Sequence, residues 1–141
     1  MKEREDELLE ELLIHVQRRY TKANEILRLT QEIAQSLHRN DRVSTQLLIQ
    51  MRQEEMDGID KINEILYQLL HCCGKDQQAR LSACLWGSAG VPEGTGEKRI
   101  FDISGATRKL FAQAINIDKT FSQRLAGNSS FYSSEKGKRS I

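Results

Sequence analysis

The residues with the most reactive side chains lie in the middle of the chain, where His71, Cys72 and Cys73 are followed by Cys84. Thiolates and imidazoles bind zinc, but zinc fingers and knuckles need two pairs of ligands, each pair a few residues apart. The spacing here does not supply those pairs, and a helix would point Cys72 and Cys73 in different directions. We therefore expect small thiols at a helix end, with no metal and no other cofactor.

The other residues that could support catalysis are sparse. His15, His38 and His71 lie far apart, and no serine or cysteine stands in a recognisable nucleophile context. The glycine-rich stretch of residues 87–96 lacks both the Gly-Lys-Ser/Thr ending and the preceding strand of a phosphate-binding loop. The sequence therefore predicts a protein that is not an enzyme, with residues 87–96 as a flexible loop.

Composition and charge limit the class of partner. The chain has 141 residues, of which 38% are hydrophobic and 29% charged, and its formal net charge is +1. This length fits one domain, and the near-neutral balance does not indicate a nucleic acid or a membrane surface as the partner. The charges are unevenly placed, because residues 1–70 carry −4 and residues 71–141 carry +5. Two halves of opposite net charge are expected where helices of one chain pack against each other, or where a basic face binds an acidic partner.

The basic side chains of the C-terminal third are dispersed, without the interleaved aromatic residues that stack on bases. They are Arg99, Arg108, Lys109, Lys119 and Arg124. No apolar run reaches the length of a membrane span, and the charged start MKEREDELLEELL is unlike a signal peptide. We expect a cytoplasmic protein with reduced cysteines, no membrane span and no nucleic-acid partner.

Hydrophobic spacing predicts helices throughout. Between residues 3 and 38, apolar positions alternate four and three residues apart, as in the seam of a coiled coil or long bundle helix. The predicted seam is Leu9, Leu13, Val16, Tyr20, Ala23, Leu27, Thr30, Ala34 and Leu37. His38 to Asp41 form a short turn into a second helix over residues 42–72, which must then run antiparallel to the first. Its predicted seam is Leu48, Met51, Glu55, Ile59, Ile62, Leu66 and Leu69.

A short helix over residues 76–85 precedes the loop, and a third long helix covers residues 98–126. The predicted fold is all-α: an elongated antiparallel bundle of three long helices, with a short extra helix before a glycine-rich loop. Residues 1–126 form a single helical domain in this interpretation. The polar, basic tail of residues 127–141 is expected to be disordered.

The apolar face of the third long helix has two interpretations. It consists of Leu110, Phe111, Ala114, Ile117, Phe121 and Leu125. Apolar stripes usually form core, where burial contributes roughly 25 cal/mol per Å². The same face, on a helix tethered by a flexible loop, could instead present Phe111 and Phe121 to a partner helix. We take these six residues as the candidate partner-binding site.

The layout resembles the FlgN-type flagellar type III export chaperones. The resemblance lies in "RNDRVSTQLLIQMRQEEMDGIDKINEIL", where a short Asn-Asp turn leads into a helix that carries Leu47-Leu48 with Arg52 and Glu54, and it covers most of residues 5–125. It implies an all-helical chaperone or adaptor that binds an amphipathic helix of a flagellar hook-associated protein before export. The alternative is a structural or scaffolding bundle that self-associates without catalysis.

Overall fold

The computed structural model describes residues 2–87 and 92–128, apart from the side chains of residues 2 and 123–128. They form four helices: α1 (Lys2–His38), α2 (Arg42–Leu70), α3 (Lys75–Trp86) and α4 (Gly94–Asn128). The described residues contain no strand, and this confirms the all-α prediction. None of the described helices combines the length and apolarity that a membrane span requires.

Polar contacts hold the turn between α1 and α2. Asn40 takes a left-handed backbone conformation, with φ of 58°. Asp41 then caps α2, because its side chain accepts a hydrogen bond from the backbone N–H of Ser44 at 3.1 Å. Behind the turn, the buried hydroxyls of Ser36 and Thr45 hydrogen bond to each other at 2.6 Å. These bonds satisfy backbone and side-chain groups where the chain reverses, so the two helices leave the turn side by side.

The long helices run up, down and up. Between α1 and α2, residue numbers increase in opposite directions, since Arg19 donates to Asn63 and Lys22 forms an ion pair with Glu55. Between α1 and α4 the residue numbers increase in the same direction, since the Leu9 side chain lies beside the position that a side chain at Gly96 would take and Arg19 donates to the hydroxyl of Ser104. Helix α1 therefore lies antiparallel to α2 and parallel to α4, and it packs along both.

The two ends of the bundle differ in their number of helices. At the end that holds the start of α1, all four helices build one continuous apolar core. We call this the four-helix end. Its buried residues are Leu12, Val16, Ile62, Leu66, Leu70, Leu81, Cys84, Leu85 and Ile100. Helix α3 supplies three of them, so it acts as a short fourth helix beside the three long ones.

The opposite end, which we call the three-helix end, contains the α1–α2 turn and the second half of α4. Its apolar core is small: Ile26, Ile59 and Ala114 are buried together, with Leu27 and Phe111 packed against them. Polar groups occupy much of the remaining interior. Arg52 donates to the buried Thr30 hydroxyl at 3.1 Å and to the Asp118 carboxylate at 3.0 Å. Leu29 and Ile33 of α1 are buried here as well, so this end has a smaller apolar core than the four-helix end rather than none.

Helix α4 begins at Gly94, four residues before the predicted bound of residue 98 and inside the predicted loop. The first turn is held by the buried carboxylate of Glu97, which accepts the backbone N–H of Glu93 at 3.1 Å. Arg80 of α3 donates to the same carboxylate at 3.3 Å. These tertiary contacts offset the low helix propensity of the glycines. Residues 88–91 of the predicted loop and 129–141 of the predicted tail lie outside the described residues.

A buried arginine lies where the four-helix end meets the three-helix end. The guanidinium of Arg19 donates to the Asn63 side chain, the Leu85 backbone carbonyl and the Ser104 hydroxyl, each at 3.1 Å. Its Cζ atom lies 5.0 Å from the centre of the Trp86 ring, within cation–π range. Burial, and secondarily the nearby Arg108, lower the pKa of Arg19 to about 10. The group stays charged at neutral pH, stabilised by dipoles and an aromatic face rather than by a carboxylate.

Replacement of Arg19 by alanine is expected to destabilise the fold by about 3 kcal/mol, because buried acceptors on α2, α3 and α4 lose their donor and a cavity is left. Arg19→Met keeps most of the volume without a buried charge, so we expect it to lose less. Urea unfolding followed by circular dichroism gives both values. Equal stability of Arg19→Ala and the unsubstituted protein would show that these contacts are energetically neutral.

Candidate functional site

Exposed apolar side chains concentrate at the three-helix end. Of the nine large hydrophobic residues that are exposed in the described part of the chain, six lie there. They are Val43, Leu47, Ile49, Met51 and Met56 on α2, and Ile115 on α4. Single exposed apolar residues need no explanation, but a concentration of them typically marks an interaction surface. The half of the bundle that lacks a fourth helix is thus also the half with most uncovered apolar surface.

An open groove of ≈ 540 Å³ lies between the last turns of α1 and the second half of α4. Its walls are Ala34, Gln35 and His38 of α1 and Arg39 of the following turn, with Asn116, Ile117, Thr120 and Phe121 of α4. Ile117 and Phe121 are half-buried and supply the main apolar surface. Amide, imidazole, guanidinium and hydroxyl groups alternate with them. A groove lined by both apolar and polar side chains suits a ligand that is itself apolar on one side and polar on the other.

The structure divides the six residues predicted as partner-binding. Ala114 is buried, and Phe111 packs against the same small cluster as Ile26 and Ile59. Leu110 is half-buried, whereas Ile117 and Phe121 line the groove. The side chain of Leu125 lies outside the described residues. The predicted face therefore turns one side towards the interior of the bundle and another towards the groove.

Four groove residues come from the end of α1 and the turn after it, and none of them was predicted as partner-binding. Gln35, His38 and Arg39 are exposed, and Ala34 is half-buried. Only Ala34 belonged to the predicted seam of α1. Which residues of α4 lie across the groove from it depends on α4 running parallel to α1, and the sequence alone did not give that direction. The basic side chain of Arg39 at one end of the groove also favours an acidic group on whatever binds there. The sequence did contain one indication of the groove: Ala34 is smaller than the neighbouring seam residues Thr30 and Leu37, and a small side chain leaves space beside α4.

The histidines and thiols are separate from the groove, with the exception of His38. Cys72 and Cys73 donate weak hydrogen bonds to the carbonyls of Gln68 and Leu69, and Cys84 is buried in the core of the four-helix end. Burial raises the pKa of the Cys73 and Cys84 thiols, which lowers their thiolate content. No group of three or more metal-binding side chains is assembled within the described residues.

Comparison with family models, with curated proteins and with solved structures finds no match to this chain.

Two phenylalanines of α4 form a matched pair for separating core from surface. Phe111→Ser removes an aromatic side chain from the cluster with Ile26 and Ile59, and we expect it to destabilise the fold by about 2–4 kcal/mol. Phe121→Ser exposes a hydroxyl in an open groove, so we expect a loss of less than about 1 kcal/mol. Urea unfolding of both variants measures the difference. If Phe121→Ser is as destabilising as Phe111→Ser, Phe121 belongs to the core.

Proposed function

We propose that this protein is a non-catalytic adaptor that binds an amphipathic helix of another protein at its three-helix end. The observation that carries the proposal is the groove lined by Ile117 and Phe121, beside a core that only three helices build. A helix laid along α1 and α4 would cover the exposed parts of both side chains. It would add a fourth helix to this end of the molecule, on the side of α1 and α4, whereas α3 at the other end packs against α4 and α2.

The chemistry of the groove selects a helix over other ligands. Helix-in-groove recognition places apolar side chains at helical spacing into an apolar channel and leaves polar side chains at its edges. Among the residues that line the groove, Ala34, Ile117 and Phe121 are apolar and half-buried, whereas Gln35 and Thr120 are polar and exposed. Full burial of a large apolar side chain contributes about 1.5–3 kcal/mol. Two half-buried anchors therefore support moderate affinity, suited to a partner that must later be released.

The resemblance to FlgN-type proteins gives this proposal a specific form. In that form the partner is the terminal amphipathic helix of a flagellar hook-associated protein, which the chaperone holds in the cytoplasm until export. Coverage of that helix would keep it from self-assembling, because the apolar stripe that drives assembly would already be buried. The support for this form is the shared layout of a long helix, a short Asn-Asp turn and a second long helix.

A binding measurement with a defined probe tests the general proposal. The probe is an amphipathic peptide of about 18 residues with leucines at i, i+3, i+4 and i+7 spacing and acidic residues on its polar face. We expect it to raise the melting temperature in proportion to the logarithm of its concentration above Kd. A peptide of the same composition in scrambled order is the control and should give no shift.

The variant Phe121→Ser tests whether the peptide binds in the groove. This variant should lose most of the peptide-induced stabilisation while its melting temperature without peptide changes little. Ile115→Ser, an exposed position of the same helix that does not line the groove, is the matched control and should respond like the unsubstituted protein. A peptide effect that is absent, or that is unchanged in Phe121→Ser, would refute this site. Co-purification with hook-associated terminal segments encoded in the same genome tests the flagellar form separately.

A further inference from the structure

A second apolar surface lies on α2 and is separate from the groove. Val43, Leu47 and Met51 are exposed by 81%, 58% and 38%, and none of them lines the groove. They follow one another at intervals of four residues, so they form one continuous ridge along the helix. We call these three residues the α2 ridge. Val43 and Leu47 are among the most exposed apolar side chains of the described chain.

The ridge is free because α2 uses another side to contact α1. Thr45 hydrogen bonds to Ser36, and Arg52 hydrogen bonds to Thr30, so these residues mark the inward side of the helix. The ridge residues are offset from them around the helix. Packing within the bundle therefore covers Thr45 and Arg52 and leaves the three ridge residues uncovered.

The ridge is symmetric about its central residue. A two-fold rotation about an axis through Leu47 brings Val43 of one copy opposite Met51 of the other and sets the two Leu47 side chains against each other. Rows of residues four apart pack into one another at about −50°, the commonest class of helix crossing. A crossing at that angle contacts only about two or three turns of each helix, which is the length of the ridge. The pattern is thus self-complementary, as a two-fold interface requires.

Charges at the two ends of the ridge match the same arrangement. Arg39 and Arg42 are exposed just before Val43, and Glu54 is exposed just after Met51. None of these three forms an ion pair within the part of the chain that the structure describes. The two-fold rotation places the basic end of one copy near the acidic end of the other. A parallel arrangement would instead bring like charges together.

We infer that the α2 ridge is a self-association surface, on which a second copy of this chain docks with its α2 antiparallel and Leu47 at the two-fold axis. The small contact area makes this a weak dimer that forms and dissociates readily. This surface lies on α2, whereas the groove proposed for the helical partner lies between α1 and α4. A dimer would therefore carry two grooves, and two linked sites bind a repetitive or assembled partner more tightly than one.

Sedimentation velocity of the full chain, from about 10 µM to about 1 mM, covers the range expected for a small interface. We expect a concentration-dependent shift from monomer to dimer. Leu47→Glu places two like charges at the axis and should raise the dimer Kd by roughly 10-fold or more. Ile115→Glu is the matched control, because Ile115 is 59% exposed against 58% for Leu47 but lies on α4. It should leave the dimer Kd unchanged, and circular dichroism should show both variants folded.

The charge pairing gives an independent test of the orientation. Glu54→Arg should weaken the dimer, and its combination with Arg42→Glu, which leaves the groove residue Arg39 unchanged, should restore it. A protein that stays monomeric throughout the range refutes the inference, as does a dimer that Ile115→Glu disrupts as much as Leu47→Glu. A monomer that binds the helical peptide would refute this inference and leave the proposed function intact. A dimer that does not bind the peptide would do the opposite.

Discussion

The guanidinium of Arg19 is the contact on which the architecture depends, because it connects α1 to the other three helices. It bonds to Asn63 on α2, to the last turn of α3 and to Ser104 on α4, and it lies over the ring of Trp86. An unpaired buried charge is costly, so each of these partners must be in place when the chain is folded. The carbonyl of Leu85 belongs to the C-terminal end of α3, where the helix dipole favours a positive charge.

The same contact marks where the fourth helix ends. Helix α3 stops at Trp86, and Gly87 then adopts a left-handed conformation with φ of 85°. On the α3 side of Arg19 the core is apolar and continuous. On the other side three helices face one another with fewer apolar residues between them, and polar pairs such as Ser36 with Thr45 and Arg52 with Asp118 hold them together. Hydrogen bonds of this kind fix geometry but bury little apolar surface, and six of the nine exposed large hydrophobic residues of the described chain lie at this end.

The groove and the α2 ridge both lie at the three-helix end, but on different faces of it. The groove lies between α1 and α4, where Ile117 and Phe121 lack a neighbour on one side. The ridge lies on the outer side of α2, where none of the four described helices covers it. One surface suits a helix of another protein and the other a second copy of this one. Occupation of one does not cover the apolar residues of the other.

Hydrophobic periodicity was enough to predict the all-α class, because apolar residues at helical spacing must be buried along one side of a helix. The turn at Asn40-Asp41 could also be predicted from the sequence, since helix capping is a local interaction. Periodicity located the inward side of α1 only approximately. The buried row of α1 runs through Leu12, Val16, Arg19, Ala23, Ile26, Thr30 and Ile33, so it shares Val16, Ala23 and Thr30 with the predicted seam and differs from it at the residues between them. A charged residue in that row could not be assigned to the core before its partners on α2, α3 and α4 were known.

The candidate site could be predicted only in part, because the sequence does not show which neighbouring helices cover each side chain. The sequence identified the apolar face of α4, but it could not separate Phe111, which packs against Ile26 and Ile59, from Phe121, which lines the groove. It likewise placed Met51 in the seam of α2, where the structure leaves it exposed. Local spacing therefore determined that these segments are helices with apolar stripes. The tertiary structure decided which parts of each stripe are covered, because coverage depends on where the short helix α3 ends and no local pattern encodes the distance between helices.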